Sequence, residues 1–234
     1  MAGEGRQLAF DLPHRPATGR DDFLVTPSNA KAVALIDLWP NWPSHVLILL
    51  GPPGSGKSHL AAVWREMTGA RTIVPAEISK AAVPELLEKG ALVIEDAPGA
   101  GLDEAGFFHL LNLAREQKAQ ILVTARQAPV GWGVALPDLM SRLKAAPTAQ
   151  LGAPDDELLR GVLVKLFADR QIAVDEATVS YLLSRMPREL DAARTLVAEI
   201  DRRALEERAE VTRNFVARVL QDITSPGLFA EDDG

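Results

Sequence analysis

The chain has 234 residues, 47% hydrophobic and 24% charged, with 25 Lys and Arg against 32 Asp and Glu for a net charge of −7. That length suits one medium domain plus a smaller one, and the absence of cysteine excludes disulfides and thiolate metal sites. The acidic balance, with no Lys/Arg run, argues against direct sequence-specific DNA binding.

Residues 1–20 are rich in Gly, Pro and Arg and lack periodicity, so they read as a flexible arm. One apolar island, Gln7-Leu8-Ala9-Phe10-Asp11-Leu12, interrupts the arm and stops at Pro13. A helix is expected from Ser28 to Trp39, with Ser28 as its N-cap. Val46 to Leu50 is a continuous apolar run of the kind buried on both faces of a parallel sheet. It is far too short to span a bilayer, and the N-terminus lacks a basic-then-apolar leader. No membrane partner is expected, and the cytoplasm is the expected location.

Further strand signals fall at Thr72–Val74, Ala91–Ile94, Gln120–Thr124 and Thr148–Leu151. Helical patterns lie between them near 57–68, 77–89 and 104–118. Strands alternating with helices predict an α/β fold with a parallel sheet over residues 21–153. After Pro154 only helical patterns follow, near 155–170, 175–185, 188–207 and 212–223. They predict a small all-helical domain over 154–224, followed by a disordered acidic tail at 225–234.

Gly51-Pro52-Pro53-Gly54-Ser55-Gly56-Lys57-Ser58 follows the first apolar strand and opens a helix. In that context G-x-x-x-x-G-K-S is a phosphate cradle. Glycines let the backbone turn its N–H groups inward, and the helix N-terminus adds positive potential. Lys57 supplies a point charge to the β- and γ-phosphates, and Ser58 a hydroxyl to Mg²⁺. Pro53, Gly54, Ser55, Gly56, Lys57, Ser58 and His59 are the residues expected around ADP or ATP. Val93-Ile94-Glu95-Asp96 ends an apolar strand on two carboxylates. Glu95 is the candidate for holding the metal and Asp96 for positioning the attacking water.

With these motifs in place, residues 6–222 resemble the AAA+ ATPases of the DnaA clade. The resemblance implies a P-loop AAA+ nucleotide-binding domain followed by a helical lid. Asp21-Asp22-Phe23-Leu24-Val25, with Ser28-Asn29, is similar to the opening of that module. It implies that Phe23, Leu24, Val25 and Asn29 line the adenine pocket. Thr124-Ala125-Arg126 resembles the sensor 1 region. Leu136-Pro137-Asp138-Leu139-Met140-Ser141-Arg142-Leu143 resembles the arginine-finger box and implies that Arg142 acts on a neighbour's nucleotide in trans. Met186-Pro187-Arg188-Glu189-Leu190-Asp191 resembles the sensor 2 box and implies that Arg188, starting a lid helix, contacts phosphates in cis. The island at Gln7, Leu8, Phe10, Asp11 and Leu12 is similar to the family's motif for the DNA polymerase III sliding clamp (beta subunit), an extended peptide docking apolar anchors in a groove.

Two features depart from the pattern. The acidic pair is Glu95-Asp96 where DnaA proteins have two aspartates, and no room for a helix-turn-helix domain is expected after Ile223. The resemblance therefore implies a negative regulator of replication initiation that docks on the clamp, packs against ATP-bound DnaA and stimulates its hydrolysis through Arg142. A homodimer through the nucleotide faces is the expected self-assembly. The residues leave open a self-sufficient ATPase such as a DnaC-type helicase loader, and a passive decoy of the initiator.

Overall fold

The computed structural model describes residues 23–224. The hexapeptide Gln7–Leu12, Asp21-Asp22 and the 225–234 tail lie outside the described residues. The chain divides into two compact units, one ending at Leu158 and the other beginning at Leu159.

The first unit is built on five parallel strands: β1 (Val46–Leu50), β2 (Arg71–Ile73), β3 (Ala91–Ala97), β4 (Gln120–Ala125) and β5 (Thr148–Gln150). Their spatial order is β2-β3-β4-β1-β5. β1 sits between β4 and β5, so every one of its five residues is buried, which is why it reads as an unbroken apolar run. Its side chains alternate between two cores. Val46, Ile48 and Leu50 face the layer of α4 (Glu104–Gln117) and α5 (Pro137–Ala145), with Phe107, Leu110, Leu139 and Leu143. Leu47 and Leu49 face the layer of α1 (Ala30–Asp37) and α2 (Lys57–Thr68), with Val33, Ile36, Leu60, Val63 and Trp64. Trp64 is wholly buried and stacks on Trp42 with ring centroids 5.0 Å apart.

Local chemistry sets the helix boundaries. α2 opens after Gly56 (φ 93°) and closes at Gly69 (φ 69°), both left-handed, a conformation glycine adopts without a Cβ penalty. α4 is capped by the Asp103 carboxylate, which accepts the Gly106 N–H at 2.9 Å.

Three expectations need correction. No continuous helix covers 77–89. A 3₁₀ turn at Pro75–Glu77 is followed by a four-residue helix α3 (Val83–Leu86). Pro84 has no N–H to offer the carbonyl of Lys80, so a helix cannot run through it. Ser28 does not cap α1. Asn29 holds that position, and its side chain turns back, donating to the Leu24 carbonyl (2.9 Å) and accepting from the Thr26 N–H (2.9 Å). Helix α5, which carries Arg142, had no helical expectation because it hides behind Pro137 and spans only nine residues.

Four helices follow: α6 (Asp156–Asp169), α7 (Glu176–Leu183), α8 (Leu190–Glu207) and α9 (Arg213–Thr224). Among the described residues no strand lies beyond Gln150. α8 buries Leu190, Ala193, Leu196, Val197 and Ile200, the three-and-four spacing of one helix face. Arg203 ties α8 to α9, reaching Glu199 at 2.6 Å and Asp222 at 2.5 Å. Among the described residues, no helix is long and apolar enough to cross a membrane.

Candidate functional site

All five strands are parallel, so their carboxyl ends share one edge, the place where open α/β sheets present ligand-binding loops. The loop after β1 (51–56), the acidic end of β3 and the segments after β4 and β5 meet at this edge. Gly51 donates to the Ala125 carbonyl (3.2 Å) and Leu151 donates to the Leu50 carbonyl (2.7 Å), stitching three strand ends together.

The loop is tightly built. A Cβ on Gly51 would lie 2.6 Å from Ser55 Oγ and 3.0 Å from the Leu151 carbonyl. Gly54 (φ 66°) and Gly56 (φ 93°) take left-handed conformations. The Lys57 ammonium is drawn into the loop, donating to the carbonyls of Gly51 and Pro52 at 2.8 Å each. Ser55 Oγ is buried without a hydrogen-bond partner among the described residues. A buried hydroxyl, inward-turned glycines, a charged ammonium and the uncapped start of a twelve-residue helix make a donor set that fits a phosphate. Ser58, in the first turn, and Pro53 are exposed at its rim.

Phe23 and His59 are brought together, their rings stacked at 5.3 Å with an interplanar angle of 16°. Phe23 is buried in the α1–α2 core, whereas Leu24 and Val25 are exposed at 36% and 49%. Asn29 is buried and shapes the backbone of this stretch. The segment is pinned from a distance by Asp155. Its carboxylate accepts the N–H groups of Ser28 (3.3 Å) and Leu158 (2.7 Å). Burial alone would push the Asp155 carboxyl up, but hydrogen bonds from Leu158, Thr26 and Ser28 outweigh it and hold the group below 3.8.

Glu95 and Asp96 sit on a β-bulge. Ile94 pairs with Val123 and Ala97 with Ala125, so two residues of β3 oppose the single Thr124 of β4. Asp96 takes a left-handed φ of 56°, and its N–H donates to Thr124 Oγ1 at 3.0 Å. The bulge leaves Glu95 half-buried and Asp96 exposed. Burial pushes the Glu95 carboxyl above 4.5, and the neighbouring Asp96 pushes it further; Arg65 of α2 pulls the other way. Among the described residues no three His, Asp or Glu side chains converge as a metal cluster. A divalent ion at this edge would draw on Ser58, Glu95 and the ligand's own oxygens.

Arg142 lies in α5, directly after the exposed Ser141, and is half-exposed. Its guanidinium carbon is 5.0 Å from the ring centroid of Phe108 on α4, a cation–π distance. Arg188 does not start a helix as expected. It lies in the turn before Glu189, which holds the N-cap position of α8, and it is exposed. Arg188 belongs to the helical unit and the P-loop to the other.

No protein-family model matches the chain. The sequence is 29% identical to an uncharacterised protein of Haemophilus influenzae over 182 residues, covering 73% of this chain and 79% of that protein. It is 29% identical over 141 residues to a putative insertion sequence ATP-binding protein of Sinorhizobium fredii, covering 52% of this chain and 47% of that one. It is 24% identical to the chromosomal replication initiator DnaA of Flavobacterium psychrophilum, covering 87% of this chain and 49% of DnaA. Domain III of DnaA from Thermotoga maritima superposes with a TM-score of 0.75 at 20% identity, covering 90% of this chain and 98% of that domain. The fold is that of DnaA domain III. The chain spans about half the length of two of these three sequence relatives.

Two contacts at the site escaped the sequence reading. Thr124 stood within a motif, but its bond to Asp96 spans 28 positions. Asp155 stood at the start of an expected helix, and its bond to Ser28 spans 127 positions. No local pattern signals either contact.

Proposed function

We propose that this protein binds ADP or ATP at Gly51–Ser58, with Mg²⁺ held by Ser58 and Glu95, and uses the bound nucleotide to present Arg142 to a partner. In this reading it acts like Hda, the DnaA-homologous regulator. The arm docks on the sliding clamp through Gln7–Leu12, and Arg142 stimulates hydrolysis of ATP bound to DnaA. The initiator then passes to its inactive ADP form. The ion supplies charge neutralisation at the phosphates when bound.

Each residue has a stated task. The loop N–H groups, Ser55 and Lys57 bind and orient the phosphates. The stacked Phe23–His59 pair and the turn fixed by Asn29 wall off the base. Asp96 accepts a proton or orients water in the chain's own slow hydrolysis. Arg142 stabilises charge on the partner's transferring phosphoryl group, an effect of about 10³–10⁵ in rate for such arginines.

The observation that carries this reading is Arg142 itself. It is half-exposed on a short helix of the same unit as the P-loop, rests on Phe108, and pairs with no carboxylate among the described residues. The decisive experiment adds wild type, Arg142→Ala or Leu8→Ala/Phe10→Ala to ATP-loaded DnaA with DNA-loaded clamp and measures released phosphate. Wild type should stimulate; both variants should lose stimulation, and only the second should lose clamp binding in a pulldown. Stimulation retained by Arg142→Ala sinks the trans mechanism.

Similarity to an insertion sequence ATP-binding protein favours a second reading, an ATPase in its own right. On that reading wild type turns over ATP alone, Asp96→Asn abolishes the activity, and deleting residues 1–12 leaves it intact.

A further inference from the structure

We infer that Glu104 is a positioning residue for Arg142, acting as a latch between α4 and the start of α5; the inference rests on the trans-acting role of Arg142. Glu104 is the first residue of α4. Its side chain is not spent on its own helix, because Asp103 already caps the first turn. Instead the carboxylate crosses 31 and 32 positions of sequence. Oε1 accepts the Ala135 N–H at 2.9 Å, and Oε2 accepts those of Ala135 at 3.1 Å and Leu136 at 2.6 Å. Hydrogen bonds from backbone donors to an ionised carboxylate are short and strong.

Three features make this contact matter for Arg142. Leu136 is the N-cap of α5 and Pro137 its first residue, so the latch grips the backbone just where the helix begins. A nine-residue helix has little stability of its own, and α5 buries only Leu139 and Leu143. Two apolar anchors four residues apart resist lifting of the helix more than sliding or rolling about its axis. Glu104 and Phe108 are four positions apart and share a face of α4. One holds the entry to α5 and the other lies under the Arg142 guanidinium. α4 thus fixes α5 at two points along its length, and the Glu104 carboxylate faces the positive start of α5. With the latch released, α5 keeps its apolar contacts but loses its register on α4. A displacement of about 1 Å at a reacting centre is enough to cost on the order of a hundredfold in rate.

The test uses the full chain with Glu104→Ala and Glu104→Gln, the second keeping an uncharged acceptor. Hydrogen–deuterium exchange should rise at 135–145 in Glu104→Ala and less in Glu104→Gln, with β1 and α2 unchanged. In the phosphate-release assay with ATP-loaded DnaA, maximal stimulation should fall about tenfold to a hundredfold in Glu104→Ala and be partly restored in Glu104→Gln. The concentration giving half-maximal stimulation and the chain's own ADP affinity should stay the same. Glu104→Ala on an Arg142→Ala background should cause no further loss. If Arg142→Ala abolishes stimulation while Glu104→Ala leaves it intact, the latch is overturned and the role of Arg142 stands. If exchange at 135–145 is unchanged in Glu104→Ala, the latch is also overturned. If Arg142→Ala itself stimulates like wild type, both readings fall together.

Discussion

Replacing Thr124 with Val removes one hydroxyl from the centre of the sheet and keeps the side chain's shape. Thr124 is wholly buried, and its Oγ1 accepts the Asp96 N–H at 3.0 Å. Because β3 carries two residues opposite Thr124, that N–H has left the strand ladder, and the hydroxyl takes the place of a backbone carbonyl. Two quantities follow. A neutral hydrogen bond of this kind is worth about 1 kcal/mol net, with about 1–3 kcal/mol lost if the freed donor stays dry. The left-handed backbone of Asp96 (φ 56°) costs roughly 1 kcal/mol that this bond helps offset. Asp96 is exposed, so water can reach its N–H, which favours the lower end of the range. Thr124→Val should therefore destabilise the protein by about 1–2 kcal/mol, a shift of roughly 2–8 °C in Tm for a chain of this size. Thr124→Ser keeps the hydroxyl and should hold Asp96 as wild type does. Thermal unfolding gives the stability, and hydrogen exchange at 95–97 reports whether the Glu95–Asp96 turn keeps its shape. If Thr124→Val melts like wild type, or Thr124→Ser speeds that exchange as much as Val does, the hydroxyl is not what shapes the bulge.

Gly51→Ala should lower stability by about 1–3 kcal/mol and weaken binding of fluorescent ADP, because its Cβ has only 2.6 Å to Ser55 Oγ and 3.0 Å to a backbone carbonyl; unchanged binding contradicts the tight loop. Glu95 has its carboxyl raised above 4.5 by burial and by Asp96, so folding favours its protonated form. Its contribution to stability is complete below 4.5 and is lost as pH rises through the folded-state value. Glu95→Gln should therefore melt higher than wild type at neutral pH, and the gain should vanish below pH 4.5. Glu199 has the opposite sign. Hydrogen bonds from Arg202, then Arg203, outweigh burial and hold its carboxyl at about 2 rather than 4.5. The stability it adds is present above pH 4.5 and is lost as pH falls toward 2. Glu199→Gln should accordingly loosen α8 and α9 at pH 7, read as faster hydrogen exchange, with the difference from wild type closing across that acid range.

Much of the architecture was already legible in the amino-acid sequence, for a physical reason. β1 is apolar at every position because it lies between β4 and β5 under helices on both faces. α8 repeats its apolar residues at three and four because one face is buried. The phosphate loop needs its glycines at fixed, closely spaced positions (51, 54 and 56), so its chemistry is written within eight residues, Gly51 to Ser58. Each of these is a local constraint. Tertiary structure alone decided what depends on distant partners. It decided that Glu95 and Asp96 share a bulge opposite Thr124, that Asp155 pins the Ser28 turn, and that Phe23 stacks on His59. It also decided that Glu104 grips the entry to α5. A carboxylate or hydroxyl in the chain does not disclose which backbone N–H it will meet. That is settled only when the apolar layers close around the sheet and leave a buried donor one acceptor within reach.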